Sequence, residues 1–366
     1  MNGQQKSSGS FLINSYRNWA TAEGVPVHEG FAVDLISADV KPWARFGAKG
    51  AVVNVAGRGD FLDLWLLDIA ASRSTDYQRH ICEAVGYVLT GQGRVMIDAG
   101  GGQAYTVSWG ERSMFAIPLN ARYRIVNDGQ KRARIALTTS FPIMMNLLRD
   151  DKFIFGTDFE FADRMGTREL YEGAGVALSH ETAGITRHFW QTNHVEDLGA
   201  FEGLKTQQYR GRGSALRFLM ADSVLHGHVA EIPAGAYKKA HRHMGGSHIY
   251  SVTGAGYSLL WYEGDAERVR VDWRHGVVHS PPDNMYHQHF NLGDQPARYF
   301  AIKMGNYKYP VTSRMDEQMK ASADVKKKRR DQIDYEDEDP IIRQLYARAL
   351  AARAFAERNL DGQTRK

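Results

Sequence analysis

His241 and His243 stand two residues apart in HRH, and His287 and His289 repeat that spacing later in the chain. On a β-strand, positions two apart face the same side, so His241 and His243 share one face while Arg242 points away. A third histidine on a later strand of the same barrel closes the triangle, and His287 is the natural candidate. Three imidazoles on one face make a divalent-metal site that keeps further coordination positions open for substrate and for water or oxygen. A lone histidine is more often structural; an H-x-H pair with a spaced third partner is a more specific signal. His289 shares the inward face of His287 and is the candidate catalytic group, placed to orient substrate or move a proton. The bland alternative is a core histidine bonded to a neighbouring carbonyl. His248 points outward on a regular strand, and only a bulge would turn it in as a fourth ligand.

The elements that carry these residues occur twice. Gln78-Arg79-His80 followed by YVLTGQG aligns with His241-Arg242-His243 followed by YSVTGAG at an offset of 163 residues. Pro118, Asn120 and Asn127 then match Pro282, Asn284 and Asn291 at an offset of 164, so a loop has gained one residue. Each copy consists of short runs rich in Val, Ile, Leu, Tyr and Phe, broken by Gly, Asp, Asn and Pro about every ten residues. That pattern predicts antiparallel strands closed into jelly-roll β-barrels. A chain of 366 residues with 43 % hydrophobic residues has material for two such cores, which excludes disorder over most of its length.

Residues 235–291 resemble the cupin superfamily. Its first motif, G-x5-H-x-H-x(3,4)-E-x6-G, is met by Gly235, His241, His243 and Gly254, with Ser247 in the glutamate position. Its second, P-x-G-x2-H-x3-N, is met by Pro282, His287 and Asn291, with Asn284 in place of glycine. The resemblance extends over both repeats and implies an all-β bicupin: two tandem jelly-roll β-barrels with short N-terminal and C-terminal helical extensions. The expected division is an N-terminal extension at 1–34, a degenerate cupin at 35–155, a connection at 156–198 with short helices, a metal-binding cupin at 199–310, and a charged helical extension at 311–366. The stretch HRHMGGSHIYSVTGAG is similar to gentisate 1,2-dioxygenases, three-histidine cupins with a small residue at the glutamate position. That likeness implies Fe(II), O2 and cleavage of a carbon-carbon bond in a hydroxylated aromatic acid or an enolic anion. Without the glutamate the ion's charge is uncompensated, which favours an anionic chelating substrate. Trp261, Trp273, Tyr250, Tyr286 and Phe290 are the candidates for flat walls around an aromatic ring.

Two other readings stay open. Zn(II), Mn(II) or Ni(II) in the same ligands would support redox-neutral isomerase, lyase or hydrolase chemistry. A non-catalytic bicupin that binds a small molecule is the other, although no helix-turn-helix is evident to couple a ligand to DNA.

In the first repeat Gln78, Ala84 and Tyr123 replace the first histidine, the glutamate and the third ligand, leaving His80 alone. One imidazole does not hold an ion, so this barrel reads as scaffold and dimerisation surface. Glu83, one position from the ligand slot, reads as an outward-facing or packing residue. Gly100 to Gly102 form a turn rather than a phosphate cradle.

A net charge of +4, from 46 basic against 42 acidic residues, is not a nucleic-acid-binding balance, and KKKRR at 326–330 is followed by the acidic DYEDED. The single Cys82 and an N-terminus without a signal-peptide layout lead us to expect a cytoplasmic protein. No run reaches the roughly 18 apolar residues of a membrane span. The expected partners are a small substrate and other copies of this chain in a homodimer or larger homo-oligomer, since exposed sheet edges need covering.

Overall fold

The computed structural model describes residues 13–100, 102–182, 185–206, 210–310 and 331–364. The KKKRR run lies outside them. Two β-sandwiches follow one another. In the first, the strands Asp63–Ile69, Ala133–Thr139, Ala84–Thr90 and Met114–Ile117 lie side by side in the larger sheet, facing a smaller sheet of Arg122–Asn127, Gly93–Gly100 and Gln103–Trp109. In the second, His226–Ile232, Ala297–Lys303, Ser247–Thr253 and Val277–His279 take the same order, facing Tyr286–Asn291, Ala255–Trp261 and Val269–Arg274. The repeat read from the sequence is therefore a repeat of jelly-roll topology. Matching glycines mark it. A Cβ on Gly93 would collide with the Val126 carbonyl, and one on Gly256 with the Phe290 carbonyl, so both strands approach their neighbours through a missing side chain.

Matching arginines hold the segment that leads into each barrel. Arg134 pairs with Asp68 at 2.9 Å and donates from one nitrogen to the carbonyls of Leu35, Ile36 and Ala38. Arg298 pairs with Glu231 at 2.8 Å and donates to the carbonyls of Leu198, Gly199 and Phe201. A planar guanidinium satisfies this many acceptors where an ammonium would not.

The lead strands are exchanged. Ala32–Asp34 pairs with Val277–His279 of the second barrel, whereas His194–Val195 pairs with Phe115 and Met114 of the first. Between the barrels lies an apolar layer that includes Leu64, Leu66, Tyr87, Phe218, Tyr250 and Phe300. Glu83 crosses it, accepting the backbone N–H groups of Val224 and Leu225 at 2.8 Å each, so the residue read as packing is an inter-barrel clamp.

The helix of the N-terminal extension is Ser15–Ala22, capped by Asn14, and it buries Tyr16 and Trp19 against the first barrel, with Trp19 packed on Phe141. The helix of the C-terminal extension is Pro340–Thr364; Ile342 and Tyr346 pack on Tyr257 and Phe290, on the outside of the second barrel. The connection at 156–198 differs from expectation. Beside two short 3-10 turns it contains a hairpin, Val176–Thr182 with Ile185–Gln191, which joins the second barrel's sheet in parallel with Ser214–Leu219. Its mixed polar composition hides the strand signal, and pairing with the sheet supplies the stability that local propensity lacks. No described helix is long and apolar enough to cross a membrane.

Candidate metal centre

The two barrels share a frame and differ in filling. Trp65, Phe115, Ile125 and Val95 are buried in the apolar core of the first. The strand pairings put His228, His279, His289 and Ser258 at the matching positions of the second. An interior so rich in imidazole and hydroxyl groups gives up hydrophobic stabilisation, which is the usual mark of a site rather than a core.

His241 ends the short strand Ala240–His241 and is paired directly with His287. With His243 they bring ligand nitrogens to within 4.8 Å of one another. Ring centroids are 4.2 Å apart for His241 and His287 and 4.8 Å for His243 and His287. Two backbone carbonyls set the rings: Nδ1 of His241 donates to Lys239 O and Nδ1 of His287 to Met285 O, both at 3.1 Å. That fixes the tautomer and leaves each Nε2 lone pair for an ion. Surrounding protein holds all three rings in the neutral form a metal requires. Burial, then nearby Arg210, pushes His241 well down; burial, then Lys303, does so for His243; burial lowers His287 to about 3. His241 and His243 keep part of their surface open to solvent while His287 is buried, so the cluster sits at the barrel mouth. The donor set therefore fits a divalent ion.

A residue the sequence reading missed stands beside it. Lys303 donates from Nζ to His243 Nε2 at 2.8 Å. It is directly opposite Ser247 on the neighbouring strand. Burial, followed by the charges of Arg210 and Arg217, lowers its ammonium to about 7. Ser247 itself is buried and lies 3.1 Å from the Ser280 hydroxyl, Oγ to Oγ.

His289 lines the same interior one strand step deeper. Its ring centroid is 5.5 Å from that of His287, and its Nδ1 is bonded to Ser258 Oγ at 2.7 Å. Trp273 Nε1 donates to the same hydroxyl at 3.2 Å, and His279 lies 3.4 Å from it. His248 does not approach the cluster. It points into the inter-barrel layer, where its Nδ1 lies 2.9 Å from Thr138 Oγ1 of the first barrel. No bulge turns it inward, and strand alternation prevails.

The same alternation disposes of most of the aromatic walls. Tyr286 and Phe290 flank His287 and His289 and so face the other way, Tyr286 stacked on Trp261 and Phe290 on Tyr257 and Tyr237. Tyr250 lies between the barrels. Of the five aromatic residues named from the sequence, Trp273 alone reaches the histidine-lined face, through Ser258. A third H-x-H was present in the sequence, His226-Gly227-His228, and would have revealed the polar interior.

In the first barrel the corresponding positions are closed by hydrogen bonds. Gln78 donates to Arg45 O at 2.8 Å; His80 donates from Nδ1 to Cys82 O at 2.9 Å and accepts from the Tyr123 hydroxyl at 3.0 Å. Trp65 packs edge-on against His80.

Among known families, a model described as auxin binding protein matches residues 42–161, a stretch of the first barrel and the segment after it. No curated protein matches. Among solved structures, a tryptophan-to-phenylalanine variant of oxalate decarboxylase from Bacillus subtilis is 13 % identical, with 83 % of this chain and 87 % of that one covered at a TM-score of 0.48. The formate complex of Lactobacillus farciminis oxalate decarboxylase is 10 % identical, with 79 % and 90 % covered at 0.48. By its own strand order, repeated in both halves, the chain has a bicupin fold with the imidazole cluster in its second barrel.

Proposed function

We propose that the second barrel is the active site of a metal-dependent enzyme acting on a small, anionic, oxygen-chelating substrate by redox-neutral chemistry of the lyase, isomerase or hydrolase type. The observation that carries this reading is a three-imidazole cluster with no carboxylate among its ligands, set in an interior lined by further imidazole and hydroxyl groups. His241, His243 and His287 would hold Mn(II), Zn(II) or Ni(II), and Fe(II) fits the same donors. An ion so held polarises a coordinated carboxylate, carbonyl or hydroxyl and stabilises negative charge as it develops.

The chain's own residues do the rest. The carbonyls of Lys239 and Met285 orient two of the ligands. His289, tied at Nδ1 to Ser258, has Nε2 left to take or return a proton. The missing carboxylate leaves a cationic centre that selects an anion. A second reading, an Fe(II) dioxygenase of a hydroxylated aromatic acid, is favoured by Ser247 in the glutamate position and by Tyr299, whose ring centroid lies 5.3 Å from that of His289 and 5.9 Å from that of His228.

The test is to purify the protein anaerobically, quantify its metals, and reload it separately with Mn(II), Zn(II), Ni(II) and Fe(II). Turnover of hydroxy-, oxo- and dicarboxylates and O2 uptake with gentisate, catechols and β-diketones are then followed beside a His241→Ala/His243→Ala control. Turnover without O2 that the control loses supports the proposal. O2 consumption only with Fe(II) and an aromatic acid moves the assignment to the second reading, and failure of the wild type to bind any of the four metals overturns both.

A further inference from the structure

We propose that Lys303 determines specificity at this site: it takes the place of the missing carboxylate ligand and pairs with the second charge of a small dianion, a dicarboxylate or its hydroxy or oxo derivative, whose first charged end sits on the metal. The inference rests on the metal-site reading above and narrows its substrate.

Three observations converge. The first is register. Ser247 and Lys303 are opposite one another on adjacent antiparallel strands, so their side chains share the interior face. Serine leaves open the volume a glutamate would fill, its hydroxyl is engaged by Ser280, and the lysine reaches across to the ligand cluster. The charge at this corner is thereby inverted.

The second is the partner. Lys303 Nζ rests 2.8 Å from His243 Nε2, the nitrogen that a shared ion needs. When that nitrogen ligates, the ammonium must turn to another acceptor. On either side of it in the sheet stand Ser247 and His226, neither of them a carboxylate. Asp283 is near enough to act on it electrostatically, yet one of its carboxylate oxygens already accepts the Gly245 N–H at 3.1 Å. A cation with little water around it is stable only when an anion meets it, and a ligand entering at the mouth is placed to be that anion.

The third is the first barrel, where the same position is Thr139. There the neighbouring strand supplies a carboxylate, Asp63, fully buried and hydrogen-bonded to Thr139 and to Trp65. The second barrel has His226 where the first has Asp63. Across the strand pair one barrel sets an acid with no lysine and the other a lysine with no acid, so in the second the place of the paired carboxylate is open to an anion from outside. A monoanion would satisfy the metal alone; a dianion satisfies both.

The experiment compares malate with lactate, which differ by one carboxylate, on the Mn(II)-loaded protein. Affinities are measured by calorimetry and Mn(II) affinity by electron paramagnetic resonance, for the wild type, Lys303→Met, Lys303→Gln and Lys303→Arg. The expected result is that the wild type binds malate at least tenfold more tightly than lactate, that Lys303→Met and Lys303→Gln bring the ratio near one, and that Lys303→Arg keeps most of the preference. The two neutral variants also bind Mn(II) several-fold more tightly, because no ammonium competes at His243. A merely structural lysine would not move the two affinities in opposite directions. A wild type that binds Mn(II) but shows no malate preference, or a preference that survives in a folded neutral variant, overturns the role of Lys303 and leaves the metal site standing. A wild type that binds none of Mn(II), Zn(II), Ni(II) and Fe(II) overturns the metal-site reading and this inference together; if it binds another of the four and not Mn(II), the same comparison is made on that form and decides the inference.

Discussion

His80 accepts a hydrogen bond from the Tyr123 hydroxyl at 3.0 Å, and the residues at the same two positions in the second barrel are His243 and His287, whose rings stand edge to face with centroids 4.8 Å apart. One barrel has closed with a hydrogen bond the space that the other keeps for an ion. Tyr123→Phe leaves the fully buried Nε2 of His80 without its donor, so we expect a loss of about 1–3 kcal/mol in chemical denaturation. Metal stoichiometry measured by mass spectrometry should stay unchanged. A fall in bound metal would show that the first barrel contributes ligands.

His287→Ala removes the most buried member of the cluster. Bound metal after reloading and desalting should drop from near one per chain to below a tenth, and the thermal stabilisation that metal gives the wild type should vanish. Ser247→Ala, at the position of the missing glutamate, should retain its metal.

His289→Gln keeps a hydrogen-bonding group beside Ser258 but cannot shuttle a proton. The expected outcome is a fall in kcat of about a hundredfold or more, with metal content unchanged, on whichever substrate the panel identifies. A simultaneous loss of metal would instead make His289 a support for the ligand shell.

His248 gives the pH prediction. Burial between the barrels lowers it to about 3, below its ordinary value of 6.5. Its folded value is depressed, so its contribution to stability is complete above about pH 6.5 and is lost as the pH falls, when the unfolded chain takes up a proton that the folded chain refuses. Between pH 7 and pH 5 the wild type should therefore lose about 2 kcal/mol more than His248→Asn. Denaturant titrations of both chains at several pH values check this, and parallel curves would contradict it.

Arg134 and Asp68 are both nearly excluded from solvent. Arg134→Met removes the donor of three carbonyls and leaves Asp68 with only the more distant Arg132, at 3.4 Å, and should cost about 3–5 kcal/mol. Arg298→Met, at the more open equivalent pair, should cost less, about 1–3 kcal/mol. Urea denaturation ranks the two.

Much of this was legible in the sequence because the repeat carries its own register. Once Gln78 aligns with His241 and Tyr123 with His287, the topology of both barrels, the three candidate ligands and the closed state of the first follow from alternation along strands. Alternation also places Tyr286 and Phe290 on the face opposite His287 and His289, and counting along that strand would have removed them from the list of substrate walls. Lys303 was not legible in the same way. It belongs to neither motif, and its importance comes from standing across a sheet from Ser247, a relation set by strand pairing rather than by spacing along the chain. The hairpin Val176–Thr182 with Ile185–Gln191 escaped for a related reason, since its stability comes from the sheet it joins. Glu83 was read as an outward-facing or packing residue, and its hold on Val224 and Leu225 escaped because it depends on how the barrels meet.

The exchanged lead strands bear on where this architecture can be cut. Severing the chain between its halves would strip Val277–His279 of its partner Ala32–Asp34 and Met114–Ile117 of its partner His194–Val195, opening a raw sheet edge on each fragment. Two fragments mixed together would have every reason to find each other again, and a single-barrel chain built to this plan would be a strand-swapped homodimer. Covalent linkage of the halves then adds proximity to a contact already specified, and it frees the two interiors to diverge: one to fill with tryptophan and isoleucine and hold the pair together, the other to spend its stability on histidines.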